Sequence, residues 1–102
     1  MKIKFLRESQ AGLEWWRFYY KVRFPQGKGA AYAHFSKILA HLKRHPLLGQ
    51  PAEIKDLRKL PIPNTPFVIF YLVKDQTLEI VQVRDGRREA DPGFQEEQAP
   101  IK

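Results

Sequence analysis

Phe67-Val68-Ile69-Phe70-Tyr71-Leu72-Val73 decides the fold. Seven consecutive apolar residues, mostly β-branched or aromatic, lie between Pro66 and Lys74-Asp75. The run is too short for a helix and reads as a central strand. Lys74-Asp75-Gln76 makes a tight connection to residues 78–83, so the two runs form an antiparallel hairpin. Side chains alternate along a strand, which puts Phe67, Ile69, Tyr71 and Val73 on one face and Val68, Phe70 and Leu72 on the other. Both sets are apolar, as in a strand covered on both sides.

Working outward, residues 54–60 read as a short basic strand limited by Pro61 and Pro63, and residues 47–52, with Gly49 and Pro51, as a loop. Upstream, Tyr32, Phe35, Ile38, Leu39 and Leu42 trace an apolar stripe up to His45-Pro46. Leu13, Trp16, Tyr20 and Phe24 trace another over residues 10–23, at spacings of three and four. Pro25, Gly27 and Gly29 separate the stripes, so two helices are joined by a turn, and Ser9 stands where its hydroxyl can cap the first. Residues 1–7, with Ile3 and Phe5 alternating with Lys2, Lys4 and Leu6, fit a first strand. The order β-α-α-β-β-β is an α+β two-layer domain over residues 1–90, a helical hairpin packed on a small antiparallel sheet. Residues 91–102, with Pro92, Gly93 and Pro100, are expected to form a loosely held tail. One pair of helices covers one sheet face. Sheet curvature or the tail folding back would cover the other, and so would a partner chain.

At 102 residues the chain has material for one core, and 43% hydrophobic with 13% aromatic content excludes a disordered linker. Cysteine is absent, which excludes a disulfide framework, a thiol nucleophile and a Cys-based zinc site. No apolar run reaches the ~18 residues of a membrane span, and Met1-Lys2-Ile3-Lys4 lacks the apolar stretch of a signal peptide, so a cytoplasmic protein is expected. The net charge of +7 is unevenly placed: residues 1–60 hold 13 Lys or Arg against 4 acids, and residues 61–102 hold 5 against 7. A field of that kind draws in phosphate backbones or an acidic protein.

From Ala30 onward the sequence resembles the RelE/ParE superfamily of bacterial toxins from toxin–antitoxin pairs. The resemblance rests on the order and spacing of four pieces. They are Phe35-x-x-Ile38-Leu39-x-x-Leu42 running into His45-Pro46-Leu47-Leu48-Gly49-Gln50-Pro51, then Leu57-Arg58-Lys59-Leu60, Phe67-Val68-Ile69-Phe70-Tyr71, and Leu78-Glu79-Ile80-Val81-Gln82-Val83-Arg84-Asp85-Gly86-Arg87-Arg88-Glu89. Asp85 stands where the family commonly has His, and Trp15-Trp16 with Tyr19-Tyr20 makes the first helix more aromatic than usual. The resemblance implies strand one beside the last strand, and an acidic ParD- or RelB-like antitoxin encoded next to this chain. Such an antitoxin would cover the doubly apolar strand and neutralise the basic half. On that reading Lys55, Arg58 and Lys59 supply counter-charge, Phe67, Ile69 and Tyr71 the apolar face, and Trp15 and Tyr19 a further contact surface.

Members of the superfamily either poison DNA gyrase, as ParE does, or cut mRNA on the ribosome, as RelE does. RNA cleavage needs a group to take the 2′-hydroxyl proton, cations for the phosphorane and a donor to the leaving oxygen. Arg58 and Arg87 or Arg88 match the family's arginines, but no Tyr or His follows the last of them, and Glu89 beside Arg87 and Arg88 fits an ion pair better than a base. ParE-like inhibition of gyrase is the first expectation. A ribosome-dependent nuclease, or an inactive member that only binds its antitoxin, is the alternative. Arg87 and Arg88, in a Gly-containing turn beyond Val83, are expected to reach solvent with free donors, the competing account being structural ion pairs with Asp85, Glu89 or Asp91. His34, His41 and His45 share a narrow arc of the second helix, yet no third ligand accompanies His41 and His45, so they are read as structural and no metal is expected. Trp15, Trp16, Tyr19 and Tyr20 among Arg17, Lys21 and Arg23 have the chemistry to stack bases, but helical spacing sends half of them into the core. Gly27-Lys28-Gly29 lacks the spacing of a phosphate loop and reads as a flexible turn, and no cofactor is expected.

Overall fold

The computed structural model describes residues 1–87, so Arg88, Glu89 and the expected tail at 91–102 lie outside the described residues. The elements are β1 (Lys2–Phe5), α1 (Gln10–Phe18), α2 (Lys28–Arg44), β2 (Gln50–Pro51), β3 (Arg58–Pro61), β4 (Phe67–Lys74) and β5 (Thr77–Asp85). They build one five-stranded sheet in the order β1-β5-β4-β3-β2 with the helices on one face, the expected α+β arrangement. The sheet is mixed, not wholly antiparallel: β1 runs parallel to β5, while the other neighbours are antiparallel. Two helices lie between β1 and the rest of the sheet, and a crossover of that length lets the strand land parallel.

Three local differences from the sequence pattern have physical causes. The segment expected as a loop contributes β2, where Gln50 and Pro51 pair with Lys59 and Arg58 at the sheet's edge, a place that tolerates a proline. β3 begins only at Arg58, because Asp56 takes a left-handed φ of 67° that no strand continues through. Ser9 does not cap α1; its hydroxyl donates back to the Leu6 carbonyl at 2.7 Å, closing a turn over Arg7–Ser9.

Trp16, Tyr20, Ala31, Phe35 and Leu42 of the helical layer pack on Phe67, Ile69, Tyr71, Leu78, Ile80 and Val83 of the sheet. Trp16 is the centre, with Phe35 and Phe67 each 4.9 Å away edge to face, the geometry the aromatic quadrupole favours. A β-bulge then changes the alternation of β5. Phe70 pairs with Gln82 but Tyr71 pairs with Ile80, leaving Val81 as an extra residue. Leu78 and Ile80 face the core before the bulge, and Val83 and Asp85 face it after.

Tyr71 ties the end of the helical layer to the sheet. Its hydroxyl donates to the Pro46 carbonyl at 2.8 Å and accepts from the Gly49 N–H at 2.8 Å. Burial pushes the phenol's pKa up, although the Gly49 N–H and Arg58 oppose that shift. The raised value means that this contribution is complete below the unfolded phenol's pKa of about 10 and is lost as pH rises through the folded one. Tyr71→Phe leaves the Gly49 N–H without its acceptor and is expected to cost about 1–3 kcal/mol in urea denaturation at neutral pH. The variant should also lose the alkaline decline; an unchanged midpoint would show that water replaces the hydroxyl without penalty.

Candidate functional site

The bulge in β5 turns Asp85 toward α1, where its side chain is 1% exposed. Four donors converge on this carboxylate: the Trp15 indole Nε1–H at 3.0 Å, the Arg87 Nε–H at 3.1 Å, the Arg87 Nη2 at 2.9 Å and the Arg87 backbone N–H at 3.0 Å. The Arg87 guanidinium also lies 4.7 Å over the Tyr19 ring, and its Nη1 donates to the Tyr19 hydroxyl at 3.2 Å. Burial alone would push the Asp85 carboxyl up, but the Arg87 and Trp15 hydrogen bonds outweigh it and hold it below the usual carboxylate range. Arg87 is held more firmly protonated than a free guanidinium, chiefly by its hydrogen bond to Asp85. The expectation of free donors at Arg87 is therefore corrected. Its side chain is 55% exposed, yet its nitrogens are committed to Asp85 and Tyr19. Trp15 and Tyr19 are half-buried and serve as the floor of this cluster.

The other candidate surface is the sheet face turned away from the helices. Paired strand residues share a face, so the register places Val68, Phe70 and Leu72 there, beside Lys59 of β3, Gln82 and Arg84 of β5, and Lys4 of β1 opposite Glu79. Arg84 lies 4.7 Å over the Phe70 ring, and its Nη2 donates to the Gln82 Oε1 at 2.6 Å. The result is a partly exposed apolar strip bordered by Lys59 and Arg84, with Glu79 between Leu72 and Lys4, a surface suited to a chain that brings apolar side chains together with polar and charged ones. Phe67, Ile69 and Tyr71, expected to meet a partner, are each 0% exposed and form the core under the helices. That expectation is corrected: the helices cover this alternation of β4, and the other one stays partly exposed.

Arg58 is on the helix side of β3, where it donates to the Gly49 carbonyl at 2.7 Å and more loosely to the Leu47 carbonyl at 3.5 Å, holding the loop that Tyr71 also grips. Lys55 is exposed on the loop before β3, and Lys59 on the open face, so the structure separates residues that are close in sequence. His41 and His45 are exposed, and the His34 Nε2 lies 3.3 Å from the Asn64 amide nitrogen. Among the described residues no three His, Asp or Glu side chains gather as metal ligands would. Gly27 closes a short turn and Lys28 opens α2. Asp85 was no site candidate in the sequence, where it stood only as one of three acids able to pair with Arg87 or Arg88 and as the residue in place of the histidine common in the resembled family; the pair with Arg87 is the one the structure forms.

Residues 3–90 match the sequence profile of the family described as ParE toxin of type II toxin-antitoxin system, parDE. Among solved structures, the chain is similar to one titled "Chromosomal ParDE TA system from P. aeruginosa", with a TM-score of 0.66 and 22% identity over 83% of this chain and 95% of that one, a likeness of fold. No curated protein matches the sequence. With a profile match that spans β1 to the last described strand and beyond, the chain belongs to the ParE toxin family of type II toxin–antitoxin systems.

Proposed function

We propose that this chain is the growth-arresting partner of its pair, acting on DNA gyrase without catalysis, and silenced by an acidic antitoxin laid over the open face of the sheet. The observation that carries the antitoxin half is the partly exposed strip of Val68, Phe70 and Leu72 beside Lys59, a surface that apolar side chains together with a carboxylate would complement. Support for a non-catalytic action comes from the two described arginines among the three candidates, Arg88 lying outside the described residues. Arg58 is bound to loop carbonyls and Arg87 to a buried carboxylate, so neither is poised over an open site.

Expression of the chain without antitoxin tests the target. Gyrase poisoning gives double-strand breaks and an SOS response with translation initially intact, whereas arrest of translation with undamaged DNA would overturn the gyrase reading in favour of a RelE-like nuclease. The antitoxin face is tested by Phe70→Asp, which sets a carboxylate in the strip and removes the ring under Arg84. It is expected to weaken antitoxin binding by about 30-fold or more while leaving growth arrest in place. Undiminished affinity would place the antitoxin elsewhere.

A further inference from the structure

The end of the helical hairpin contradicts its own sequence pattern. Trp16, Tyr20 and Phe24 are spaced to fall on one buried stripe of an α-helix, and the first two are each 2% exposed. At Tyr19 the ladder changes to a π-helical turn over Tyr19–Arg23, closed by the Phe24 N–H donating to the Tyr19 carbonyl at 2.8 Å, five residues back. The wider turn carries Phe24 off the stripe, leaving it 46% exposed. At the same end of the hairpin Val22 is 55% exposed, Phe18 44%, and Tyr32, which like Phe24 neighbours the Tyr20 ring, 36%. π-Helical turns are rare and concentrate at functional sites, and several exposed apolar side chains at one end of an element mark a contact surface.

Charge says what kind of occupant fits. Residues 15–52 contain seven Lys or Arg and no Asp or Glu. Arg17, Lys21, Arg23 and Lys28 belong to this end of the hairpin, Arg23 lies 6.0 Å over the Phe18 ring and Lys28 5.7 Å over the Tyr32 ring, and none pairs with a described carboxylate. A second copy of this chain would meet like charge. A nucleic-acid backbone would use the cations and leave Phe18, Val22 and Phe24 in water. An acidic protein surface with apolar side chains satisfies both sets. This end belongs to the helical layer, away from the sheet face assigned to the antitoxin, so both surfaces can be occupied independently. We infer that the hairpin end, built on the π-helical turn, is the surface by which the toxin docks on an acidic face of its target protein. The inference rests on the proposed reading as a toxin and not on the identity of gyrase as target.

The test combines Val22→Glu with Phe24→Ala, both at exposed positions, and uses Lys21→Glu with Arg23→Glu as a second variant that leaves the apolar groups in place. Each is expected to fold with an unchanged melting temperature, to bind antitoxin within about two-fold of wild type, and to need at least about 10-fold more toxin for growth arrest, as truncation of an interface anchor does. Arrest at wild-type levels by both variants overturns the inference, and so does a parallel loss of antitoxin affinity, which would make this the antitoxin's surface. Wild-type binding to phosphatidylglycerol vesicles, lost in the variants, would reassign the surface to a membrane and also overturn it. Purified gyrase separates the two readings. If wild type fails to bind it while the variants still lose arrest, the gyrase target falls and the docking surface stands; a wild type that arrests nothing overturns both.

Discussion

Gly12→Ala is expected to lower the thermal midpoint by about 10 °C or more, although alanine is the better helix former by about 1 kcal/mol. Gly12 lies in the first turns of α1, and a Cβ there would run into the Val83 carbonyl oxygen, with the Val83 carbonyl carbon 2.9 Å and its nitrogen 3.3 Å away. The obstacle is backbone in the middle of a sheet, and it cannot rotate aside as a side chain would. Over-packing costs about 1–3 kcal/mol where neighbours can shift, and this contact lies at or above the upper end. Relief requires α1 to lift from β5, which separates Trp15 from Asp85 and loosens Trp16 in the core. Gly29→Ala is the matched control, because nothing lies within 4 Å of its Cβ position on α2. It should be neutral or stabilising by up to about 1 kcal/mol. Equal midpoints for the two variants would refute the close approach of α1 to β5.

The layout was legible in the sequence because the strongest signals are periodic. Phe67 to Val73 could be nothing but a strand, and the stripes through Trp16 and Phe35 located both helices. What escaped came from single-residue departures that leave no trace in periodicity. The extra residue at Val81 decides whether Asp85 or Arg84 meets the core, and no count along β5 reveals it. The π-helical turn likewise sends Phe24 outward although its spacing belongs to the buried stripe. The doubly apolar β4 showed that two faces need cover, but which face the helices take depends on tertiary packing, so Phe67, Ile69 and Tyr71 were assigned to the partner and are core. Arg58 was identifiable as a basic strand residue, whereas its bond to the Gly49 carbonyl depends on a loop nine residues away in sequence.

Arg87→Ala is expected to destabilise the fold by about 2 kcal/mol, between the ~0–1 kcal/mol of an exposed pair and the ~3–5 kcal/mol of breaking a buried one. The intermediate value follows from the asymmetry of the pair, since the Arg87 side chain is 55% exposed and partly screened while the Asp85 side chain is 1% exposed. Without the guanidinium, the buried carboxylate keeps only the Trp15 indole and the backbone N–H of residue 87. The pH profile should change with it. In the native protein the depressed Asp85 pKa contributes stability that is complete above the unfolded value of about 3.9 and is lost as pH falls through the folded one. In Arg87→Ala the burial that pushes this carboxyl up is less opposed, so the acid decline that sets in as pH falls below the unfolded value of about 3.9 should shrink or reverse. Asp85→Asn removes the buried charge at nearly the same size, and the double variant Asp85→Asn with Arg87→Ala should recover much of the stability lost in Arg87→Ala alone. That recovery separates structure from function at the exit of β5. If Arg87 acts only by neutralising Asp85, the refolded double variant arrests growth as wild type does. A double variant that regains its melting temperature, binds antitoxin and still fails to arrest growth would mean that the guanidinium itself meets the target.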